Sequence, residues 1–470
     1  MIQFGTGGWR AIIGDEFTKA NIQLLAKALC NKMRSEGVSH KGIVIGYDRR
    51  FLSKEAMRWA GQVFAAEGIH TYLVNKASPT PLIMFYVMKY ELPYGMMITA
   101  SHNPAIYNGV KVFTAGGRDA DEIQTNELEA YAQKVDASDI KEMDYDEALE
   151  KGVIKEIYPL NEYLDNIIEA VNMSAIRQKS LKIILDPMYG VSETSLKTIL
   201  LTARCEVDTI HDRHDTLFGG KLPSPSAATL SALQSRVVEK KCDIGIATDG
   251  DADRIGIIDD TGRFLHPNEI LVLLYYYLVK YKGWKGPVVR NIATTHMLDK
   301  VAAKLGETCY EVPVGFKYIS AKMSETDAII GGESSGGLTV KGHINGKDGI
   351  YAAALLVEMV AVTNKKLSEI VKDIEAECGR IFMEERDYKF NLEKKASIYN
   401  LLMVEKKIPK LPFPIEKLSY LDGSKVYFEN GGWVICRFSG TEPLLRIFCE
   451  MPTLDEAKQV CELYESFLEL

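Results

Sequence analysis

Apolar and polar residues alternate along this chain with two different spacings. Apolar residues recur at three- and four-residue intervals in long segments, as at Ile22, Leu25, Ala26, Leu29 and Met33. Such spacing is typical of helices with one apolar face, whereas short β-branched runs are typical of buried strands. Runs of the second kind, ending in Gly, Asp, Ser or Thr, occupy residues 42–48, 95–101, 181–186, 243–249, 287–294 and 328–334. The alternation predicts α/β layering.

The last part of the chain has a different pattern. Residues 425–428 and 433–438 flank an Asn-Gly-Gly turn, which predicts a β-hairpin. A strand at 445–449 and a helix beginning near Leu454 follow, while the Pro- and Lys-containing stretch 406–414 is predicted to be a loop. We therefore expect a small α+β domain at this end.

The length predicts several domains. At about 150 residues per domain, 470 residues correspond to three or four domains. The charged stretch 137–157 and residues 265–269 are the candidate boundaries, and no repeat of solenoid or propeller spacing is found. The predicted division is residues 1–150, 151–265, 266–378 and 379–470.

Composition excludes several classes of protein. With 46% hydrophobic and 26% charged residues the chain has average globular composition, and eight scattered cysteines without a C-x-x-C pair predict reduced thiols. No secretory signal is found, and the longest apolar run, 270–279, is short of the roughly 20 residues that span a bilayer. We expect a cytoplasmic protein without membrane contact. A net charge of −8 argues against nucleic acid as a partner.

The segment 249–254 (DGDADR) carries three carboxylates at alternate positions, Asp249, Asp251 and Asp253. Oxygen ligands of this kind can converge on Mg²⁺ or Ca²⁺. An EF-hand loop would require Gly at the position of Arg254 and Glu at that of Asp260, so a calcium loop is disfavoured. A magnesium site is predicted, with a solvated acidic turn as the alternative.

Ser101 lies in the segment 99–104 (TASHNP), directly after a predicted strand, where α/β proteins place their sites. His102 is adjacent in sequence and no G-x-S-x-G elbow is present, which disfavours acyl transfer. Taken alone, Ser101 would be an ordinary loop serine. A phosphoserine carries about −1.5 to −2 charges at neutral pH, and it would need the metal and fixed cations nearby.

Basic residues occur in or near these segments. Arg254 ends the acidic segment, Lys111 ends the segment 108–111 (NGVK), and Arg10 ends the glycine-rich segment 5–10 (GTGGWR). Catalysis of phosphoryl transfer consists mainly of positioning and charge stabilisation, so this composition fits that reaction class. Each basic residue considered alone would be a surface charge.

Two further segments suit a sugar phosphate. Residues 331–337 (GGESSGG) place a carboxylate and hydroxyls among glycines that allow a ligand to approach, although a flexible turn is an equally good interpretation. Residues 437–443 (RFSGTEP) combine an arginine, hydroxyls and backbone N–H groups in a compact turn that can hold a phosphate, with Arg446 in support.

In this order the segments 5–10, 99–104, 249–254, 331–337 and 437–443 resemble the motifs of the α-D-phosphohexomutases, the family of phosphoglucomutases and phosphomannomutases. The resemblance implies an α/β fold of three similar mixed α/β domains plus a smaller C-terminal α+β domain around a central active-site cleft. It implies one Mg²⁺ per chain, with a hexose 1,6-bisphosphate as intermediate and activator. The oligomeric expectation is a monomer or homodimer.

The resemblance also assigns residues to roles. The expected catalytic residues are Ser101, His102, Lys111, Arg10 and Arg254, with Lys111 and Arg10 favoured for the proton of the sugar hydroxyl. The expected metal ligands are an oxygen of phosphorylated Ser101, Asp249, Asp251 and Asp253. The expected substrate-binding residues are Lys317, Glu333, Ser335, His343, Lys347, Arg437, Ser439, Gly440, Thr441 and Arg446.

The reaction implied is interconversion of hexose 1-phosphate and hexose 6-phosphate, with glucose as the first choice and mannose as a second substrate. Residues 333–337 (ESSGG) end without the histidine of many dual-specificity members, and 222–226 (LPSPS) also departs from the usual pattern, so the sugar stays open. The alternatives are a phosphoglucosamine mutase, a non-catalytic sugar-phosphate-binding paralogue and a metal-dependent phosphatase.

Overall fold

The computed structural model describes residues 2–5, 7–438 and 444–470, except for the side chain of Leu392. Its strands are β1 (Trp9–Ile12), β2 (Ile43–Tyr47), β3 (Thr71–Val74), β4 (Tyr94–Ile98), β5 (Tyr107–Thr114), β6 (Arg118–Asp119), β7 (Ile154–Ile157), β8 (Lys182–Asp186), β9 (Glu206–Thr209), β10 (Ile244–Thr248), β11 (Ile255–Ile258), β12 (Phe264–Leu265), β13 (Val288–Asn291), β14 (Cys309–Val312), β15 (Ile330–Gly332), β16 (Leu338–Val340), β17 (Phe382–Lys389), β18 (Ile415–Ser419), β19 (Ser424–Phe428), β20 (Trp433–Phe438) and β21 (Leu444–Met451). Its helices are α1 (Lys19–Ser35), α2 (Ser53–Ala66), α3 (Thr80–Lys89), α4 (Glu122–Lys134), α5 (Tyr145–Glu150), α6 (Leu160–Ala170), α7 (Met173–Arg177), α8 (Glu193–Thr202), α9 (Ser231–Lys240), α10 (Pro267–Lys280), α11 (Met297–Lys304), α12 (Phe316–Thr326), α13 (Gly349–Thr363), α14 (Leu367–Cys378), α15 (Leu392–Tyr399) and α16 (Leu454–Leu468).

The first sheet has the strand order β1-β5-β4-β2-β3-β7, with β6 paired to β5. Helix α1 packs on it through the predicted apolar face, and Ile22, Leu25, Ala26, Leu29 and Met33 are all buried, as the sequence predicted. The helix begins where the Thr18 side chain accepts a hydrogen bond from the backbone of Asn21, which satisfies one of the free N–H groups of the first turn.

The first three sheets share one arrangement at their functional ends. In each, a strand with a parallel neighbour is followed by a loop and then by an antiparallel return strand: β4 and β5, β10 and β11, β15 and β16. The loops between them are residues 99–106, 249–254 and 333–337. The three segments singled out for their chemistry therefore occupy equivalent positions in three similar domains.

One predicted boundary is corrected by the strand pairing. Strand β7 lies beyond residue 150, the predicted end of the first domain, yet it pairs in parallel with β3 through four residue pairs. Its backbone hydrogen bonds are made with the first sheet, so that sheet extends to Ile157. The divisions at 265 and 378 stay predictions.

The fourth sheet is antiparallel, with the order β17-β21-β20-β19-β18. Strands β19 and β20 form the predicted hairpin, and β21 is the predicted strand that follows it. Helix α16 begins at Leu454 as predicted, with Thr453 and Glu456 forming a reciprocal capping box. Three similar α/β domains and a smaller α+β domain confirm the fold class predicted from the sequence.

The apolar run that was weighed as a membrane span is a core helix. Helix α10 buries Ile270 to Leu278 in an apolar cluster that also contains nearly all of α13 and parts of α3 and α6. Helices that are apolar on all sides are expected in the interior of a large protein. Among the described residues, no helix has the length and apolar character needed to cross a bilayer.

Candidate active site

The serine loop of the first domain and the acidic loop of the second are in direct contact. Ser101 Oγ donates a hydrogen bond of 2.8 Å to Asp249 Oδ2, and both residues are at most 1% exposed. The backbones are close as well, because a Cβ added at Gly250 would lie 2.8 Å from the carbonyl oxygen of Ser101. Only glycine allows this approach. The predicted nucleophile and the predicted metal loop therefore share one site.

The backbone of Ser101 has an unusual conformation. Its φ is 52°, in the left-handed region, which costs a residue with a Cβ roughly 1–2 kcal/mol. Its N–H donates to Thr99 Oγ1 at 2.9 Å. Surrounding contacts must hold this conformation, and strain of this kind concentrates at functional sites.

The three aspartates form a buried cluster whose carboxylate oxygens lie within 4.8 Å of one another. Asp251 Oδ2 accepts hydrogen bonds from Thr80 Oγ1 at 2.6 Å and from Lys111 Nζ at 2.7 Å. Asp253 Oδ2 accepts from Lys111 Nζ at 2.7 Å. In the described part of the chain, Asp251 Oδ1 and Asp253 Oδ1 are buried with no hydrogen-bond partner. Unpaired buried carboxylate oxygens suit a hard cation such as Mg²⁺, so the donor set fits the predicted metal.

Burial and mutual repulsion govern the ionisation of this cluster. Burial raises the pKa of Asp249 well above its ordinary value, and the charges of Asp251 and Asp253 raise it further. Burial also acts against ionisation of Asp253, but Lys111, Lys347 and Arg254 together hold the pKa of its carboxyl well below its ordinary value. The site therefore concentrates more negative charge than it can keep without cations.

The predicted cations converge on the cluster. Lys347 Nζ lies 2.9 Å from Asp253 Oδ2, and the backbone N–H of Arg254 donates to Asp249 Oδ1 at 3.1 Å. Arg10 donates to Asn103 Oδ1 in the serine loop at 2.6 Å. Although burial opposes the ammonium, the charges of Asp251, Asp253 and Asp119 raise the pKa of Lys111. In this arrangement Lys111 is a neutralising cation rather than the proton acceptor expected from the sequence.

His102 is close to the nucleophile. Its Nδ1 lies 3.4 Å from Ser101 Oγ. The positive charge of Arg254, burial and the charge of Arg10 lower the pKa of His102 well below its ordinary value. Its imidazole is therefore neutral near pH 7 and can accept a proton.

The predicted sugar loop belongs to the third domain and touches the metal loop. The backbone N–H of Ile255 donates to Gly336 O at 3.2 Å. Glu333 Oε1 accepts from Asn291 Nδ2 and from the backbone N–H of Gly315, both at 3.2 Å, and the exposed Ser335 lies 3.4 Å from its other oxygen. These contacts place a carboxylate and a hydroxyl beside the charged cluster.

Lys317 lies at the start of α12, near the joint between the first and third domains. Its Nζ is 3.2 Å from Glu122 Oε2 of the first domain. It lines a cavity of about 610 Å³, together with Asp119 and Asn345. The cavity opens between two of the domains that carry the site, which is consistent with the predicted position of Lys317 in a cleft.

The fourth domain contributes Arg437. Its Nε lies 3.0 Å from Asp422 Oδ2, and the same oxygen accepts a 2.9 Å hydrogen bond from the backbone of Val314. Arg446 is its cross-strand neighbour, with a half-exposed side chain 3.7 Å from Asp387. Ser439, Gly440 and Thr441, which were predicted to complete the phosphate loop, lie outside the described residues.

One predicted substrate residue is placed elsewhere. The side chain of His343 is 1% exposed, and its Nε2 lies 2.6 Å from Asp348 Oδ2. Its Nδ1 lies 2.9 Å from Asn166 Oδ1, and Tyr163 donates to the same Asp348 oxygen at 2.7 Å. Because these neighbours enclose the ring, His343 is not available to a substrate. It supports the loop before α13 from which Lys347 reaches Asp253.

Several residues at the site were missed from the sequence. Thr80 binds Asp251, Asn291 binds Glu333, and Asp119 lines the cavity beside Lys317. Burial raises the pKa of Asp119, an effect opposed by Lys347 and Lys111. The available signal was position: Thr80 follows β3 and Asn291 ends β13, while their residue types are common in loops.

Family models match the chain in four consecutive segments. "Phosphoglucomutase/phosphomannomutase, alpha/beta/alpha domain I" matches residues 1–139, and domains II and III of the same description match residues 161–262 and 266–378. The "C-terminal domain" of that description matches residues 389–464.

Individual relatives match over almost the whole chain. A "Phosphoglucomutase/phosphomannomutase" of Thermococcus kodakarensis is 28% identical, with 99% of this chain and 98% of the relative covered. A "Probable phosphoglucosamine mutase" of Methanocella arvoryzae is 31% identical, with 100% and 98% covered. A crystal structure from Thermus thermophilus, named as a phosphomannomutase, has a TM-score of 0.86 and 30% identity over 100% of this chain and 99% of that one.

Proposed function

Because this chain belongs to the phosphoglucomutase/phosphomannomutase family of α-D-phosphohexomutases, we propose that it interconverts a hexose 1-phosphate and a hexose 6-phosphate through a phosphorylated Ser101. The members of this family are mutases, and the chain is an enzyme of that class. The residue roles, the sugar and the activating bisphosphate are parts of the proposal.

One observation carries the proposal. Ser101 Oγ lies 2.8 Å from Asp249, at the edge of a buried three-aspartate cluster that is surrounded by Lys111, Lys347 and Arg254. A serine that only stabilised a loop would not require so many buried charges. A serine that alternately carries and releases a phosphoryl group requires them, because phosphoryl transfer depends on charge stabilisation.

The proposed cycle has two transfers. Phosphorylated Ser101 first gives its phosphoryl group to the free hydroxyl of the bound hexose monophosphate, which leaves a hexose 1,6-bisphosphate and a free serine. The bisphosphate turns over within the site, and Ser101 Oγ then attacks the phosphoryl group at the other end. The P–O bond to the sugar breaks, the serine is phosphorylated again, and the isomerised monophosphate leaves.

The residues around Ser101 divide the electrostatic and proton work. Neutral His102, 3.4 Å from Ser101 Oγ, takes the hydroxyl proton when the serine attacks. Lys111, Arg254 and Lys347 neutralise the charge on the transferred group. Mg²⁺, when bound by Asp249, Asp251, Asp253 and an oxygen of phosphorylated Ser101, stabilises charge on that group.

The third and fourth domains hold the substrate in this proposal. Glu333 and Ser335 bind sugar hydroxyls, and Lys317 lines the entrance. Arg437, with the predicted contributions of Ser439, Gly440, Thr441 and Arg446, holds the phosphate that is not reacting. This phosphate site must accept either end of the sugar, so it recognises charge more strictly than sugar orientation.

The sugar is the least constrained part of the proposal. We take glucose as the first candidate, with mannose as an additional substrate. Glucosamine phosphate is the second candidate, because the Methanocella relative, 31% identical over the whole chain, is named for that sugar. The three compounds differ at C2, so the contacts of Glu333 and Ser335 are expected to decide among them.

The direct test is turnover. The purified protein, Mg²⁺ and a trace of glucose 1,6-bisphosphate are mixed in turn with glucose 1-phosphate, mannose 1-phosphate and glucosamine 1-phosphate, and formation of each 6-phosphate is followed. We expect conversion, with the highest kcat/KM identifying the sugar. Absence of conversion with all three substrates would contradict the proposal.

The nucleophile is tested by intact mass. Wild-type protein incubated with glucose 1,6-bisphosphate is expected to gain the mass of a phosphoryl group, and Ser101→Ala is expected not to gain it. Ser335→Ala is the matched control, since it removes a serine from the sugar loop and should keep the phosphoryl mass. A phosphoryl group retained in Ser101→Ala would assign the nucleophile to another residue.

A further inference from the structure

Arg50 contacts the serine loop from the side opposite the acidic cluster. It follows β2, belongs to none of the motifs, and is 3% exposed. Its Nη2 donates to the carbonyl oxygens of Ser101 at 2.6 Å and Asn103 at 2.7 Å. Its Nη1 donates to those of Pro104 and Tyr107, both at 2.9 Å. One guanidinium group therefore binds four carbonyls of a single loop.

Arg50 is itself held in place by buried groups. Its Nε lies 3.4 Å from Asp48 Oδ2, and Asp48 also accepts hydrogen bonds from Thr99 Oγ1 at 2.6 Å and Ser53 Oγ at 2.8 Å. The Phe218 ring of the second domain covers the guanidinium, with its centroid 4.9 Å from Cζ. These contacts fix the guanidinium in one orientation while leaving its two terminal nitrogens for the loop.

The loop needs such support, because regular structure does not supply it. Residues 101–106 lie between β4 and β5, so their carbonyls have no partners in the sheet ladder. Ser101 is held at a φ of 52° with Oγ directed at Asp249. A planar guanidinium with donors in a rigid fork can bind four carbonyls at once, whereas a lysine ammonium has three donors at one point.

We infer that Arg50 is a positioning residue for phosphoryl transfer: by binding the carbonyls of Ser101, Asn103, Pro104 and Tyr107 it holds Ser101 in its left-handed conformation, with Oγ at the acidic cluster. The inference rests on the proposed function for the chemistry of Ser101. Arg50 touches only the carbonyl side of the loop, so it acts through Ser101 and contacts neither the sugar nor the transferred phosphoryl group.

The main test is Arg50→Lys, which keeps the charge and removes the fork. We expect kcat to fall between about tenfold and a hundredfold, because small misplacements of a reacting group have costs of that size. KM for the hexose 1-phosphate should change less than about threefold, since the substrate contacts lie in other loops. The rate at which glucose 1,6-bisphosphate phosphorylates Ser101, followed by intact mass, should fall with kcat.

Hydrogen exchange measures the loop without relying on turnover. Backbone amides of residues 101–107 should exchange at least about tenfold faster in Arg50→Lys than in the wild type, whereas amides of α1 should be unchanged. If the wild-type protein proves inactive on all three sugars, the proposed function fails while this measurement still decides whether Arg50 holds the loop.

Two controls separate positioning from a general loss of folding. Arg290→Lys alters another buried arginine, whose partners Asp299 and Glu311 lie in the third domain, and it should leave exchange of residues 101–107 unchanged. Arg50→Ala leaves a space for a free guanidinium ion, and millimolar guanidinium should restore part of its kcat while having no effect on the wild type.

If Arg50→Lys does not fold, Thr99→Val tests the same loop. It removes the hydrogen bond to the Ser101 N–H and the one to Asp48, and it should lower kcat without raising KM. The inference is overturned if a folded Arg50→Lys or Thr99→Val keeps kcat and loop exchange within about twofold of the wild type. It is also overturned if KM alone changes.

Discussion

At the scale of single residues, the acidic cluster has buried oxygens that nothing in the described chain satisfies. Asp251 Oδ1 and Asp253 Oδ1 are such atoms, although the second oxygen of each carboxylate accepts from Lys111. An unsatisfied buried polar atom costs roughly 1–3 kcal/mol. The arrangement is unfavourable for folding alone and becomes favourable when a cation binds, which is the expected property of a metal site.

We predict that Asp251→Asn weakens Mg²⁺ binding at least about tenfold, because the variant removes a charged ligand and keeps the size of the side chain. Isothermal titration with MgCl₂ measures the affinity. Asp260→Asn is the matched control: this acid lies just beyond the cluster and contacts Ser368, so Mg²⁺ affinity should not change. Equal weakening by both substitutions would contradict the assignment of the cluster.

At the scale of elements, strands β19 and β20 join the fourth domain to the third through buried polar groups. Lys425 is fully buried and donates to Ile292 O at 2.6 Å and to Glu311 Oε2 at 2.8 Å. Trp433 Nε1 donates to Glu450 Oε1 at 2.9 Å, and that oxygen also accepts from the backbone of His296. These bonds orient the sheet that carries Arg437 relative to the third domain.

Lys425→Met should destabilise this joint by about 3–5 kcal/mol, the usual effect of removing one partner of a buried charged pair. Differential scanning calorimetry and limited proteolysis of the fourth domain measure the effect. Lys417→Met on the neighbouring strand β18 is the control, since Lys417 is exposed and its loss should change stability by less than about 0.5 kcal/mol. An unchanged melting temperature in Lys425→Met would exclude a structural role for the bonds.

At the scale of the whole molecule, the same joint makes stability depend on acid. Burial, with a further contribution from Arg290, lowers the pKa of His296 to about 3. The groups that face it are Arg290, Asp299, Glu311 and Lys425. The unfolded chain takes up this proton near pH 6.5 and the folded protein only near pH 3, so the stability contributed by neutral His296 is complete above pH 6.5 and is lost as pH falls towards 3.

We predict that the wild type loses stability between pH 6.5 and pH 4 more steeply than His296→Gln, by up to about 1.4 kcal/mol per pH unit, because the variant has no proton to take up at this position. Urea unfolding at a series of pH values measures the slopes, and the carboxylates common to both proteins cancel in the difference. Parallel slopes would show that His296 does not link folding to pH.

Local pattern was enough to determine the elements and the residue types of the site. The apolar face of α1, the hairpin of β19 and β20 and the start of α16 depend on spacing, turn residues and caps, which act within a few residues of one another. The segments around Ser101 and Asp249–Asp253 were identified for the same reason. Each contains its chemistry within six residues.

Only the tertiary structure decided which of these groups meet. Strand β7 joins the first sheet, His343 is enclosed by Asp348 and Asn166, and Arg50 binds the Ser101 loop from about fifty residues away in sequence. Hydrogen bonding between distant segments depends on how sheets and loops pack, and packing leaves no periodic signal in the sequence. The sequence by itself therefore determined the fold class and the chemistry of Ser101 and the aspartates, and packing determined their geometry.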